Sequence, residues 1–523
     1  MRNKLLSLLC ILPLLSACQQ SGLLTYIPYT DYVPEQNLNI DEDTSSYYRK
    51  AEVTPVHTEK GDFTSIKQFL RNNKDGRNHV IASSKGEKKM LIIPVRFLDS
   101  SDDISLENKT IRLQNAFFGD PKTTANESVA SFYNKSSYGQ LRLTGEIAPW
   151  YTLDIKSSEW KKKGNDQTYA SRSITIEAIK ELRKANFDFS SFDSDDDGYL
   201  DMVYTIYDYP YADSSKDAVS DELFWAYTDF IREGENGASS GDKLVNAYCW
   251  SSFYFALGEK NKADSSIFIH ETGHLLGLSD YYNTNSKAQG YYYQPTGFFD
   301  LMDSNQGDHT VFSKYLLNWS SPKVLKKGVN TTLKLKDFSK TGDYLLLPLD
   351  DQYNDNPFGE YLLLEYFSPN GLNKSNGLSY QDVDMNGKKI IFNFPSYHGL
   401  KVYHVNAKLG YFTKKSTTTL MSSFICLVGD EAGHDLTEAT IDFAYDNSIK
   451  TIDADNKQVL YHLLESSGEN TFKYGQLASN DTLFRYGDTF GIDTFQELSD
   501  RAGYTFKIVD VSTNNVSIRF TSK

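Results

Sequence analysis

Residues Ile267–Tyr282 read IFIHETGHLLGLSDYY, and the fold is decided there. His270, Glu271 and His274 stand in the order His-Glu-x-x-His. On a helix this spacing sets the two imidazoles four residues apart on one face, where both can bind one metal ion. Glu271 lies on the adjacent face, within reach of the open position of such a metal. Gly277 follows His274 by three residues, where the helix must end and turn sharply, and glycine accepts the left-handed backbone of that turn. Asp280 lies three residues further on. Two imidazole nitrogens and one carboxylate oxygen suit zinc and leave a fourth position open for water, whereas structural zinc sites usually have four protein ligands. A bare His-Glu-x-x-His arises by chance in many sequences; the continuation through Gly277 and Asp280 makes the zinc reading specific.

The whole pattern, HExxHxxGxxD, matches the extended metzincin motif with aspartate in place of the usual third histidine. In metzincins a methionine on a tight turn underlies the metal, and Met302, in GFFDLM downstream of the motif, is the candidate. Taken alone, Met302 reads as a core methionine. Asp300 competes with Asp280 as the carboxylate ligand, and Tyr281 and Tyr282 crowd the same turn. Ser304 stands two residues after Met302, where several metzincins carry tyrosine, so the group that stabilises the oxyanion is unassigned.

At this point the sequence resembles the immune inhibitor A-like family of secreted bacterial zinc metallopeptidases. The resemblance runs in chain order through KKMLIIPVRFLD, SVASFYNKSSYGQLRLTGEIAPWYTL, DFSSFDSDDDGYLDMVYTIYD, the His270 motif and GFFDLMDSNQGDHTVFSKYLLNWSSP, with weaker echoes to the terminal FKIVDVSTNNVSIRF. It covers most of residues 88–523. It implies the family's fold and endopeptidase activity, with the metal ligands falling on His270, His274 and Asp280 and the catalytic glutamate on Glu271.

A second metal candidate precedes the first. Asp193, Asp195, Asp197 and Asp201 occupy positions 1, 3, 5 and 9 of a calcium-type loop, with Gly198 at the sixth and Tyr199 at the seventh. Tyr204 replaces the bidentate glutamate of position 12, so a full EF-hand is excluded. The plain alternative is a solvated acidic turn.

Outward from these sites, the chain opens with MRNKLLSLLCILPLLSAC. Arg2 and Lys4 before an apolar run that ends in small residues read as a signal peptide over residues 1–17. The run is shorter than the roughly 20 residues a membrane-spanning helix needs. Leu15-Ser16-Ala17-Cys18 resembles the bacterial lipobox, so Cys18 is expected to carry lipid and to hold an exported protein on the outer face of the membrane. Once Cys10 and Cys18 are set aside, Cys249 and Cys426 remain, and whether they pair is left open.

Residues 18–87 are polar with little periodicity and read as a tether or a pro-segment; order is expected from MLIIPVRF at Met90. Residues 88–325 mix strands and helices, and residues 326–523 alternate in short runs such as YLLLPL, EYLLLEYF and GLKVYHV. The expected architecture is an α/β (α+β) metzincin-like zinc peptidase domain followed by an all-β, sandwich-like C-terminal domain. Net charge is −15, which repels phosphate backbones and excludes nucleic acid as a general partner. The expected partners are protein or peptide substrates outside the cell and, through Cys18, the membrane; the oligomeric state is open. The competing readings are a non-catalytic surface binding protein on a protease-like fold and an anchored structural lipoprotein. An intact Glu271 argues against the first, because a binding module has no need of a general base; three visible ligands argue against the second, because a structural zinc site usually has four.

Overall fold

The computed structural model describes residues 46–523 apart from 59–60, 73–78, 164–166, 212–223, 259–260, 283–293, 304–306, 351–352, 378, 384–388, 394, 415–416 and 423–458. The signal peptide, Cys18, Ser304 and Cys426 lie outside the described residues. The chain divides into two compact units, Ile66–Leu278 and Ser279–Lys523 with the residues up to Ser65.

The unit Ile66–Leu278 is built on a strand that the sequence announces. Gly86–Arg96 (β1) carries MLIIPV, every residue of which is buried, as expected of a strand covered on both faces. Helices Leu106–Phe118 (α2) and Val129–Ser136 (α3) start at Ser105 and Ser128, whose side chains accept the N–H groups of Asn108 and Ser131. Strands Leu141–Ile147 (β2), Met202–Asp208 (β3), Tyr227–Phe230 (β4) and Ala247–Ser252 (β5) complete a sheet of order β2–β1–β3–β5–β4. All its pairings are parallel except β4 with β5, which is antiparallel and leaves β4 at the edge. Pro94 has no N–H to give a central strand. It falls where the neighbour of β1 changes, between the last pair with β2 at Ile92 and the pairing of Val95 with Tyr151. The helix expected from the spacing of Ala170, Ile174, Ala178 and Leu182 is present over Gln167–Lys184 (α4).

Order begins earlier in the chain than Met90. Helix Ile66–Asn72 (α1) buries Ile66 and Phe69, and Val80, Ile81 and Ala82 are buried after it. Two short apolar clusters in a polar stretch leave no period to read.

In the other unit, helix Val311–Leu316 (α6) precedes strands Lys323–Leu325 (β6), Thr331–Lys336 (β7), Tyr344–Pro348 (β8), Glu360–Phe367 (β9), Gly399–Asn406 (β10) and Tyr461–Leu464 (β11). Thr489–Phe490 (β12), Tyr504–Val511 (β13) and Asn515–Ser522 (β14) close the chain. One sheet runs Tyr48–Lys50, β6, β8, β9, β10, β11, and a second runs β7, β14, β13, β12. Leu345, Leu347, Leu362, Leu364 and Val402 of the first share one core with Leu335, Phe506, Ile508, Val516 and Ile518 of the second, an arrangement compatible with a sandwich. The expected all-β character needs correction. Residues 326–523 also hold short helices at Phe338–Thr341 and Gln496–Ala502, elements too brief to impose a helical period on the sequence.

Candidate metal centre and active site

The central helix of the site, Ser266–Leu275 (α5), is tied down from two directions. The Tyr204 hydroxyl on β3 donates to the carbonyl of Phe268 at 2.9 Å, and the Tyr133 hydroxyl on α3 donates to that of Ile269 at 2.7 Å. The Phe268 ring lies 4.7 Å from that of Phe117 on α2. Its C-terminus closes in a Schellman turn, with the N–H of Gly277 on the carbonyl of His274 and that of Leu278 on the carbonyl of Gly273. Gly277 has φ +93°, and a Cβ there would meet the Ile81 side chain at 2.5 Å. The backbone therefore favours glycine, and a larger residue would also have to move the Ile81 side chain.

The turn also orients a ligand. His274 Nδ1 lies 2.7 Å from the carbonyl of Leu278. A carbonyl only accepts, so Nδ1 carries the proton and Nε2 presents its lone pair, the tautomer a metal ligand needs. The His270 and His274 rings lie 4.9 Å apart. His270, His274 and Asp280 each offer one ligand atom, all within 4.8 Å of one another. Two nitrogens and one oxygen, with the histidine tautomer already set, fit zinc with a vacant position. Glu271 is buried and stands outside this trio; its Oε2 accepts a hydrogen bond from Thr228 Oγ1 of β4 at 3.2 Å.

Residues 89–314 match the family described as immune inhibitor A peptidase M6, catalytic domain. The match supports an immune inhibitor A-like family and marks residues 89–314 as an M6 metallopeptidase domain, a hydrolase of peptide bonds that depends on a metal. No curated protein matches the chain.

Within the M6 domain Met302 is fully buried in a single helical turn, Leu301–Asp303. Its carbonyl accepts the N–H of Tyr281, next to Asp280, at 2.9 Å. Asp300, the alternative ligand, is otherwise engaged: Oδ1 accepts the N–H of Met302 at 2.8 Å and Oδ2 accepts the Thr310 hydroxyl. Burial pushes its carboxyl up to about 6, and the hydrogen bonds from Thr310 and Met302 oppose that rise. Asp300 braces the turn that carries Met302 and takes no place in the trio.

The acidic loop of the M6 domain brings Asp193, Asp195 and Asp197 within 4.8 Å of one another. Protein donors already meet these carboxylates. Lys243 pairs with Asp193 and Asp196, Lys67 with Asp195 and Asp197, and Arg71 with Asp197. Asp193 also accepts the N–H groups of Asp197 and Gly198, Asp197 that of Tyr199, and Asp201 that of Ser194. A cation entering here has to displace Lys243 from Asp193 as well as Lys67 and Arg71, which reach the loop from α1. Cys249 is a buried, free thiol in β5.

Thr228 is the site residue that sequence reasoning missed. Tyr227–Phe230 reads YTDF, a run with no motif, and its place beside Glu271 depends on strand pairing alone.

Proposed function

We propose that the protein is a zinc-dependent endopeptidase that hydrolyses extracellular proteins, with a metzincin-like catalytic region at residues 88–325, and that lipid on Cys18 holds it at the outer face of a bacterial membrane. The observation that carries the enzymatic reading is the trio of His270, His274 and Asp280 beside a buried carboxylate, Glu271, that is not one of the three. When bound, zinc lowers the pKa of a coordinated water and polarises the scissile carbonyl. Glu271 takes the proton of the attacking water and returns it to the leaving amine. The geometry of β4 supports cleavage within a chain rather than at its end. It is an edge strand, and among the described residues no strand pairs on its outer side. An extended peptide can add there through main-chain hydrogen bonds that continue on both sides of the scissile bond.

Casein digestion by cell fractions tests both parts. Activity is expected in the membrane fraction, abolished by chelator and restored by zinc, and it moves to the soluble fraction in Cys18→Ser. Chelator-resistant digestion overturns the zinc reading; membrane-bound Cys18→Ser overturns the anchor.

Calcium at Asp193, Asp195, Asp197, Tyr199 and Asp201 belongs to the same proposal. Its support is the ligand spacing and the convergence of three carboxylates. Because calcium must compete with Lys67 and Arg71, binding is expected in the range of weak extracellular sites, about 0.1–1 mM. Millimolar calcium is then expected to raise the melting temperature, and Lys67→Gln to tighten the site. An unchanged melting temperature in both proteins removes calcium from the proposal.

A further inference from the structure

We infer that Thr228 is a positioning residue for Glu271, an inference that rests on the peptidase reading above. Thr228 lies in β4, whose register against β5 pairs Tyr227 with Trp250, Thr228 with Cys249 and Asp229 with Tyr248. Successive side chains of a strand point to opposite faces of the sheet. Asp229 points to the face of α4, where Arg172 holds it at 2.8 Å and the Tyr248 hydroxyl lies at 3.4 Å. Thr228 must then point to the face of α5, where its hydroxyl donates to Glu271 Oε2 at 3.2 Å. The ion pair on one face and the ladder with β5 together hold the strand from which the hydroxyl projects on the other.

A carboxylate is planar, so holding one oxygen sets the direction in which the other points. Glu271 lies on α5 between the two histidines, and α5 is itself anchored through Tyr204 and Tyr133. With the helix fixed, the freedom left to Glu271 is rotation of its own side chain, and the bond from Thr228 restrains that rotation. A general base has to sit within hydrogen-bond reach of the proton it accepts. Losing the restraint therefore slows turnover without weakening the hold of His270, His274 and Asp280 on the metal. Thr228 touches neither metal nor reacting atoms in this role; it acts through Glu271.

Thr228→Val keeps the β-branched shape and strand propensity and deletes the donor, and Thr228→Ser restores the donor. Initial rates of casein hydrolysis are measured over a concentration series for wild type, both variants and Glu271→Ala, alongside bound zinc and melting temperature. Thr228→Val is expected to lose about thirtyfold in kcat, the scale of one hydrogen bond to a charged group, with KM within about twofold. Thr228→Ser is expected to recover most of that kcat, with zinc content and melting temperature unchanged in both. A Thr228→Val enzyme with wild-type kcat overturns the inference while the peptidase reading stands. So does a loss of kcat that follows zinc content, or a Thr228→Ser enzyme as slow as Thr228→Val. If Glu271→Ala digests casein like wild type, the peptidase reading itself falls, and this inference with it.

Discussion

On the proposed mechanism, Glu271→Ala is expected to retain bound metal and to lose casein hydrolysis by about a thousandfold, the scale of removing a general base. The reason is the separation of roles within one short helix. His270 and His274 supply nitrogens to the trio with Asp280, and the hydrogen bond from His274 Nδ1 to the Leu278 carbonyl holds a ligand in place without help from Glu271. Removing the Glu271 carboxylate therefore leaves the donor set intact. What disappears is a buried carboxylate that adjoins the trio and is hydrogen-bonded from the edge strand. Zinc analysis and digestion assays on the same preparation check both halves. A variant that still digests casein removes Glu271 as the base, and one that loses zinc makes Glu271 part of the metal's support.

Lys109→Met is expected to cost about 3–5 kcal/mol of stability, the scale of leaving a buried charge without its partner. Lys109 on α2 donates to both oxygens of Asp208, at 2.8 and 2.6 Å, and to the carbonyl of Ser101 at 2.7 Å. Both side chains are almost wholly removed from water, 2% exposed for Lys109 and 0% for Asp208. Burial pushes the Asp208 carboxyl up, and Lys109 is what pulls against it. Without the ammonium, Asp208 at the end of β3 is left as an uncompensated buried charge or must take up a proton. The double variant Lys109→Met/Asp208→Leu is expected to recover most of the loss, because a buried pair replaced by apolar groups of similar volume is often neutral. Denaturant unfolding of the two variants against wild type measures this; equal stability of Lys109→Met and wild type refutes it.

The metal centre was legible because its parts are close in sequence. His270, Glu271, His274, Gly277 and Asp280 fall within one helix and the turn that ends it, so their spacing already states their geometry. The central strand was legible for a similar reason, since MLIIPV is buried throughout and reads as a continuous apolar run. The acidic loop was legible as a list of carboxylates, but its ion pairs were not. Lys67 and Arg71 lie more than a hundred residues away in a helix with no strong period. Asp300 could be named as a rival ligand from its position, yet only its bonds to Met302 and Thr310 remove it from that role.

By itself, the sequence determined the chemistry that one helical turn can hold: two imidazoles on a face, a carboxylate beside them, and a glycine where the backbone must turn left-handed. Local spacing is enough there, because the α-helix converts residue number directly into direction. Tertiary structure alone decided which distant groups support that turn. Strand pairing brings Thr228 to Glu271, hydroxyls of Tyr204 and Tyr133 hold the helix, and Ile81 packs over Gly277. Such partners are selected by sheet register and side-chain packing, which depend on residues far apart in the chain and leave no fixed spacing to read.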